Sequence, residues 1–239
     1  RLQMEPGAPG SGVALTVTGA ELPTDGDNLV VRAALEICRA LELPADLRIH
    51  LEKQIPVAAG LGGGSSDAAL TLLGVEMLSG RSLAVAHRHA LARSLGADVP
   101  FFLDPRPAIG RGIGDELEPV AGVPEMSWVL VAFPFGVATP WAFREASREL
   151  TLPRDRSSIA APLGPGRLAT SPANDLETVA TRRHPEIRTA RTALDRAGAL
   201  ITGMSGSGPT VYGRFPNMEE ALRVARELEL PSGARTMAV

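Results

Sequence analysis

The residues best suited to chemistry lie in one run, Pro56-Val57-Ala58-Ala59-Gly60-Leu61-Gly62-Gly63-Gly64-Ser65-Ser66-Asp67-Ala68-Ala69. Four glycines within five positions let backbone N–H groups converge with no Cβ atoms in the way, and two hydroxyls follow where a helix is expected to begin. A helix amino terminus carries unpaired N–H groups and the positive end of the helix dipole, so such a loop is suited to nucleotide phosphates. The plain alternative is a tight strand-to-helix turn capped by Ser65 or Ser66. No Gly-Lys-Ser/Thr follows, so this is not a Walker loop, and the glycine spacing is wrong for a dinucleotide fingerprint.

A second run, Gly96-Ala97-Asp98-Val99-Pro100-Phe101-Phe102, sets an acidic residue between a helix-ending glycine and a proline that favours an extended Val99. A carboxylate held on such a turn, near bound phosphates, can accept a hydroxyl proton or orient the hydroxyl for attack; a turn or capping aspartate is the alternative. The third run, Gly203-Met204-Ser205-Gly206-Ser207-Gly208-Pro209-Thr210, offers flexible backbone and hydroxyls between two expected strands. Ser207 stands where a nucleophile elbow needs its last glycine, which leaves a hairpin-like loop or a second wall of a nucleotide or substrate site. His87 and His89 lie two apart on an expected helix and point to different faces, so they do not form a chelating pair, and His50 and His184 are isolated. The arginines at 182, 183, 188 and 191 read as a charged helix face rather than a nucleic-acid stripe.

The elements that must position these runs follow from periodicity. Strands are expected at Leu2 to Met4 and Val13 to Thr18, joined by the turn-rich Pro6-Gly7-Ala8-Pro9-Gly10, and another at Leu47 to Leu51. Leu29, Ala33, Ile37 and Leu41 form a helical stripe with Asp27 placed to cap it. Further helices are expected over Ser65 to Leu78 and Ser82 to Leu95, closed by left-handed Gly80 and Gly96. Ser127 to Phe133 reads as a buried strand, and a new domain is placed near residue 123. Asn174, with Glu177 three residues on, opens a helix, and Pro185 opens another. Strands at Ala199 to Thr202 and Thr210 to Phe215, a helix at Glu219 to Leu228 and a strand at Arg235 to Val239 complete the chain. Residues 151–172, rich in Pro and Gly without a period, read as a mobile surface segment. Strands and helices mix without regular alternation, which favours α+β.

The 239 residues suffice for two units of about 120 residues each. A net charge of −3 gives no basic field to draw nucleic acid or an anionic membrane, and no apolar run approaches the roughly 20 residues that span a bilayer. Cys38, the single cysteine, has no internal disulfide partner and fits a reducing compartment. The chain therefore reads as soluble and cytoplasmic. Lys53 is the only lysine among 24 basic residues and reads as an exposed strand-edge side chain.

The three glycine-bearing runs, in this order and at these separations, resemble the three motifs of the GHMP kinases. Within that family, Ala59 to Ala69, Leu95 to Phe102 and Asn174-Asp175-Leu176-Glu177 are similar in wording to the branch acting on 4-diphosphocytidyl-2-C-methyl-D-erythritol. The resemblance implies a two-domain α+β fold: an ATP-binding domain over 1–122, like domain 2 of ribosomal protein S5, and a ferredoxin-like domain over 123–239. It implies ATP and Mg²⁺ as cofactors, that small alcohol as acceptor, and phosphoryl transfer to its 2-hydroxyl in non-mevalonate isoprenoid synthesis. By the same resemblance Pro56 to Ser66 wrap the ATP phosphates, and Asp98 is the catalytic aspartate with Ala97 beside it on the acceptor side. Thr139 and Phe143, in Thr139-Pro140-Trp141-Ala142-Phe143-Arg144, fall in the segment whose aromatic ring stacks on cytosine, although Phe143 also suits ordinary core packing. Gly206 should approach substrate or phosphate closely, and Asn174 and Asp175 are ligands or only a helix cap. The family's second catalytic residue, a lysine on an amino-terminal strand, has no match in this sequence and is expected upstream of Arg1; Lys53 is not a substitute for it. A kinase for another small alcohol and a non-catalytic nucleotide-binding relative are the alternatives.

Overall fold

The computed structural model describes residues 1–149, 174–231 and 233–239. The expected mobile segment 151–172 lies outside them. Two compact units emerge, one of Arg1–Val57 with Gly62–Ala121, the other of Ala58–Leu61 with Gly122–Val239.

The first unit is built on three strands, β1 (Leu2–Pro6), β2 (Val13–Thr18) and β3 (Leu47–Glu52). The Pro6–Gly10 turn suggested that the first two strands are neighbours. Instead β3 lies between them, antiparallel to β1 and parallel to β2. The connecting loop is held across the end of β3: Gly7 N–H donates to Asp46 O at 2.8 Å, and the Asp46 carboxylate accepts from Gly10 and Gly12, each at 2.9 Å. Those two N–H groups hold the Asp46 carboxyl below the usual aspartate range.

On β3, Leu47, Ile49 and Leu51 are buried while Arg48, His50 and Glu52 alternate with them on the opposite face. The apolar face packs with helices α1 (Leu29–Ala40), α2 (Gly63–Ser79) and α3 (Val85–Leu95), through Val30, Ala34, Ile37, Leu72, Val75 and Ala92 among others. Asn28, not Asp27, caps α1, because it is the Asn28 side chain that accepts from Val30 N–H at 2.9 Å. Helix α2 ends as expected in left-handed Gly80 (φ 67°), whereas Gly96 after α3 has φ 171° and is simply extended. A 3₁₀ helix (Val99–Leu103) and a hairpin of β4 (Ala108–Arg111) and β5 (Glu116–Pro119) complete the unit. The hairpin is mostly exposed and lacks the apolar alternation that would have announced it.

The second unit holds β6 (Ser127–Ala132), α4 (Thr139–Glu149), α5 (Asp175–Arg183), α6 (Pro185–Arg196), β7 (Ile201–Met204), β8 (Val211–Phe215), α7 (Met218–Glu227) and β9 (Arg235–Ala238). Its sheet runs β7-β8-β6-β9, antiparallel throughout, the order of a ferredoxin-like split β-α-β arrangement. Val129, Val131, Val211 and Phe215 meet Ile187, Ala190 and Leu194 of α6 and Ala221 and Val224 of α7 in a second apolar core.

Candidate active site

The glycine-rich run begins α2, and neither serine caps it. Gly62 occupies the N-cap position in the left-handed region (φ 65°) with no side-chain cap, while the Ser66 hydroxyl turns inward to donate to Gly63 O at 2.8 Å. The helix's own ladder resumes with Ser66 N–H to Gly62 O at 2.9 Å. Among the described residues none accepts from the N–H groups of Gly63, Gly64 and Ser65. Three orphan donors at the positive end of a 17-residue helix suit an anion such as a phosphate. Glycine at the N-cap supplies no capping side chain, and the backbone stays open because Gly64 is exposed with only Leu29 near a would-be Cβ, at 3.6 Å.

Asp98 lies at the end of the turn that follows α3. Its backbone is in the right-handed helical region, and it leads into the 3₁₀ helix, so Val99 is helical and not extended as Pro100 had suggested. Val99 and Pro100 are buried, Val99 N–H donates to Gly96 O at 3.1 Å, and Asp98 itself is exposed. Among the described residues no hydrogen bond or ion pair engages its carboxylate. The same short helix carries Phe102 against the glycine run: a Cβ built on Gly62 would stand 2.6 Å from the Phe102 ring. The second motif is thereby packed directly on the start of α2, with Phe101 set edge-on to Phe102 at 5.1 Å.

Lys53 departs most from its sequence reading. It is buried, not exposed, and its ammonium lies 2.5 Å from the Asp67 carboxylate, with side-chain exposures of 5% and 13%. A Cβ on Gly63 would come within 2.9 Å of Nζ, so this cation sits under the first turn of α2. The signal available in the sequence was a lone lysine 14 residues before an aspartate, which periodicity does not connect.

In the second unit, Ala58 to Leu61 join the third glycine-bearing loop. The Ser205 hydroxyl donates to Gly60 O at 2.7 Å, and Thr210 N–H donates to Ala59 O at 3.3 Å. Gly60 has φ 74° and a Cβ there would be 2.3 Å from Ser205 O, so glycine is required twice over. Gly206, with φ 55°, forms the tip of the turn. Thr139, at the start of α4, pairs its hydroxyl with that of Ser207 at 2.8 Å. Phe143 is 57% exposed on α4, which removes the core-packing alternative, and Trp141 carries the Arg183 guanidinium over its ring at 4.6 Å. Ala97 is half-buried beside Asp98. His87 and His89 are both exposed, and no cluster of three or more His, Cys, Asp or Glu side chains occurs among the described residues.

The first unit presents open helix amides and the second a ferredoxin-like sheet. The family models for the amino-terminal and carboxyl-terminal domains of GHMP kinases match residues 28–104 and 162–231, and the chain belongs to this family. It is 41% identical over 212 residues to the 4-diphosphocytidyl-2-C-methyl-D-erythritol kinase of Rhizobium meliloti, covering 85% of this chain and 69% of that relative. It is 40% identical over 229 residues to the enzyme of the same name from Pelotomaculum thermopropionicum, covering 94% and 79%. A crystal structure of 4-(cytidine 5'-diphospho)-2C-methyl-D-erythritol kinase, 37% identical, superposes with a TM-score of 0.77 over 99% of this chain and 84% of that one. Homoserine kinase from Cytophaga hutchinsonii, at 19% identity and a TM-score of 0.75, shares the fold.

Proposed function

We propose that this protein transfers the γ-phosphoryl group of ATP to the 2-hydroxyl of 4-diphosphocytidyl-2-C-methyl-D-erythritol, a cytoplasmic step of non-mevalonate isoprenoid synthesis. The observation that carries the reading is the packing of Phe102 on Gly62, which sets the turn bearing a free Asp98 carboxylate against the helix start bearing three unpaired amides. The N–H groups of Gly63, Gly64 and Ser65 hold the phosphates, with Pro56 to Leu61 wrapping around them. Asp98 accepts the proton of the acceptor hydroxyl or orients it for in-line attack. Mg²⁺, carried in on the phosphate oxygens, neutralises charge there when bound. Phe143, exposed on α4, offers its ring to the cytosine, while Thr139 and Gly206 border the acceptor. The identities to similarly named relatives over most of the chain support the choice of acceptor.

The test is ADP release with ATP and Mg²⁺ in the presence of the cytidylated alcohol, homoserine or mevalonate. Release with the first alone is expected. Release with either of the others instead would reassign the acceptor, and ATP binding with no turnover on any acceptor would make the protein a nucleotide-binding relative.

A further inference from the structure

Asn174 does two jobs with one side chain. Its Oδ1 accepts from Leu176 N–H at 3.0 Å and so starts α5. That orientation leaves Nδ2 facing away from the helix, where it donates to Met204 O at 2.9 Å and to Gly206 O at 2.8 Å. Both amide hydrogens are used, and the two carbonyls they reach flank Ser205 in the third glycine loop. The Ser205 N–H in turn donates to Thr210 O at 2.9 Å and its hydroxyl to Gly60 O at 2.7 Å, while Gly208 N–H closes the turn on Ser205 O at 2.9 Å. The loop that meets Gly60 of the first glycine run thus hangs from the N-cap residue of α5.

The geometry points to Asn174 as the positioning residue of the third glycine loop, holding Ser205 on Gly60 and fixing Gly206, which the proposed function sets beside the acceptor. This rests on the proposed kinase reading for its kinetic consequence, not for its structural one. A side chain that is only a helix cap needs an acceptor; this one also supplies two donors to backbone 30 and 32 residues away. Serine and aspartate both cap helices well but have no amide donors, so Asn174→Ser and Asn174→Asp separate the two jobs.

Steady-state kinetics, ATP binding and amide hydrogen exchange are measured on the full protein and both variants. With the cap retained, kcat/KM for the cytidylated alcohol is expected to fall by about ten- to a hundredfold, the size of effect that loss of substrate positioning produces. ATP affinity is expected to fall by less than kcat/KM does, because the loop meets the glycine run only at Ala59 and Gly60 while the orphan amides belong to α2. Exchange at residues 205–208 should quicken by about tenfold, while β8 and α5 keep their protection. Unchanged exchange in that segment, faster exchange spread over the whole second unit, or quicker local exchange with kinetics unaltered each overturns the assignment. A parent protein inert toward every acceptor would sink the kinase reading, and exchange at 205–208 would still decide whether Asn174 holds the loop.

Discussion

Asp98 combines a buried anchor with a free end. Val99 and Pro100 fix the backbone, and the carboxylate projects with no partner among the described residues. Asp98→Asn keeps the shape and removes the base, so turnover should fall by about a hundredfold or more while ATP affinity, measured separately, barely moves. Near-parental turnover in that variant removes Asp98 from the mechanism. Lys53 and Asp67 belong to the same scale with the opposite character. Both side chains are almost fully enclosed, so removing one partner strands the other: Lys53→Met should cost about 3–5 kcal/mol in urea unfolding. Replacing both, as Lys53→Met with Asp67→Leu, should recover most of that loss, whereas an additive double variant would show that the pair does not act as a unit. The candidate carboxylate was legible because its neighbours in sequence are its neighbours in space. The ion pair was not, since its partners meet only after β3 and α2 have docked.

At the scale of elements, the glycine run works through the absence of side chains at defined places. Gly60→Ala would force a Cβ to within 2.3 Å of Ser205 O and 2.9 Å of Gly208 O at a positive φ, and both neighbours are backbone. Loss of more than about tenfold in kcat/KM is expected, together with a lowered melting midpoint, since such strain exceeds what a loop absorbs locally. Gly64→Ala is the control: it meets only Leu29, at 3.6 Å, and should leave the fold intact. Helix and strand locations were mostly legible from periodicity. Their ends were less so, because caps depend on single hydrogen bonds: Asn28 and not Asp27 turns toward the first amide of α1, and Ser66 turns toward a carbonyl within α2 instead of capping it. The hairpin β4–β5 and helix α4 escaped the reading, the former for want of apolar alternation and the latter because its residues were read only as a motif.

For the whole molecule, acid should act on the two units at different pH. His184 stacks on Phe135 at 4.3 Å in the second unit, and burial, reinforced by the Arg183 charge and opposed by Glu186, pushes its pKa below 6.5. The unfolded chain therefore binds that proton more readily than the folded one, so the second unit loses stability as pH falls from about 6.5 toward the lowered value. Asp46, in the first unit, has a lowered pKa; its contribution is present above the ordinary aspartate range and disappears only at more acid pH. Both tryptophans, Trp128 and Trp141, lie in the second unit, so melting followed by their fluorescence isolates it. The midpoint should drop between pH 7 and pH 5.5 in the parent and much less in His184→Phe; an equal drop in both would assign the acid sensitivity elsewhere. What the sequence determined by itself was local: which runs are helix or strand, where glycine opens the backbone, and which carboxylate a turn holds out, because these depend on residues a few positions apart. Tertiary structure decided that β3 separates β1 from β2, that Lys53 is buried against Asp67, and that Asn174 reaches the loop at 204–206. Alternation tells a strand which face to bury but not which strand to lie beside, and a side chain's hydrogen-bond partner is chosen only when packing brings distant backbone within about 3 Å.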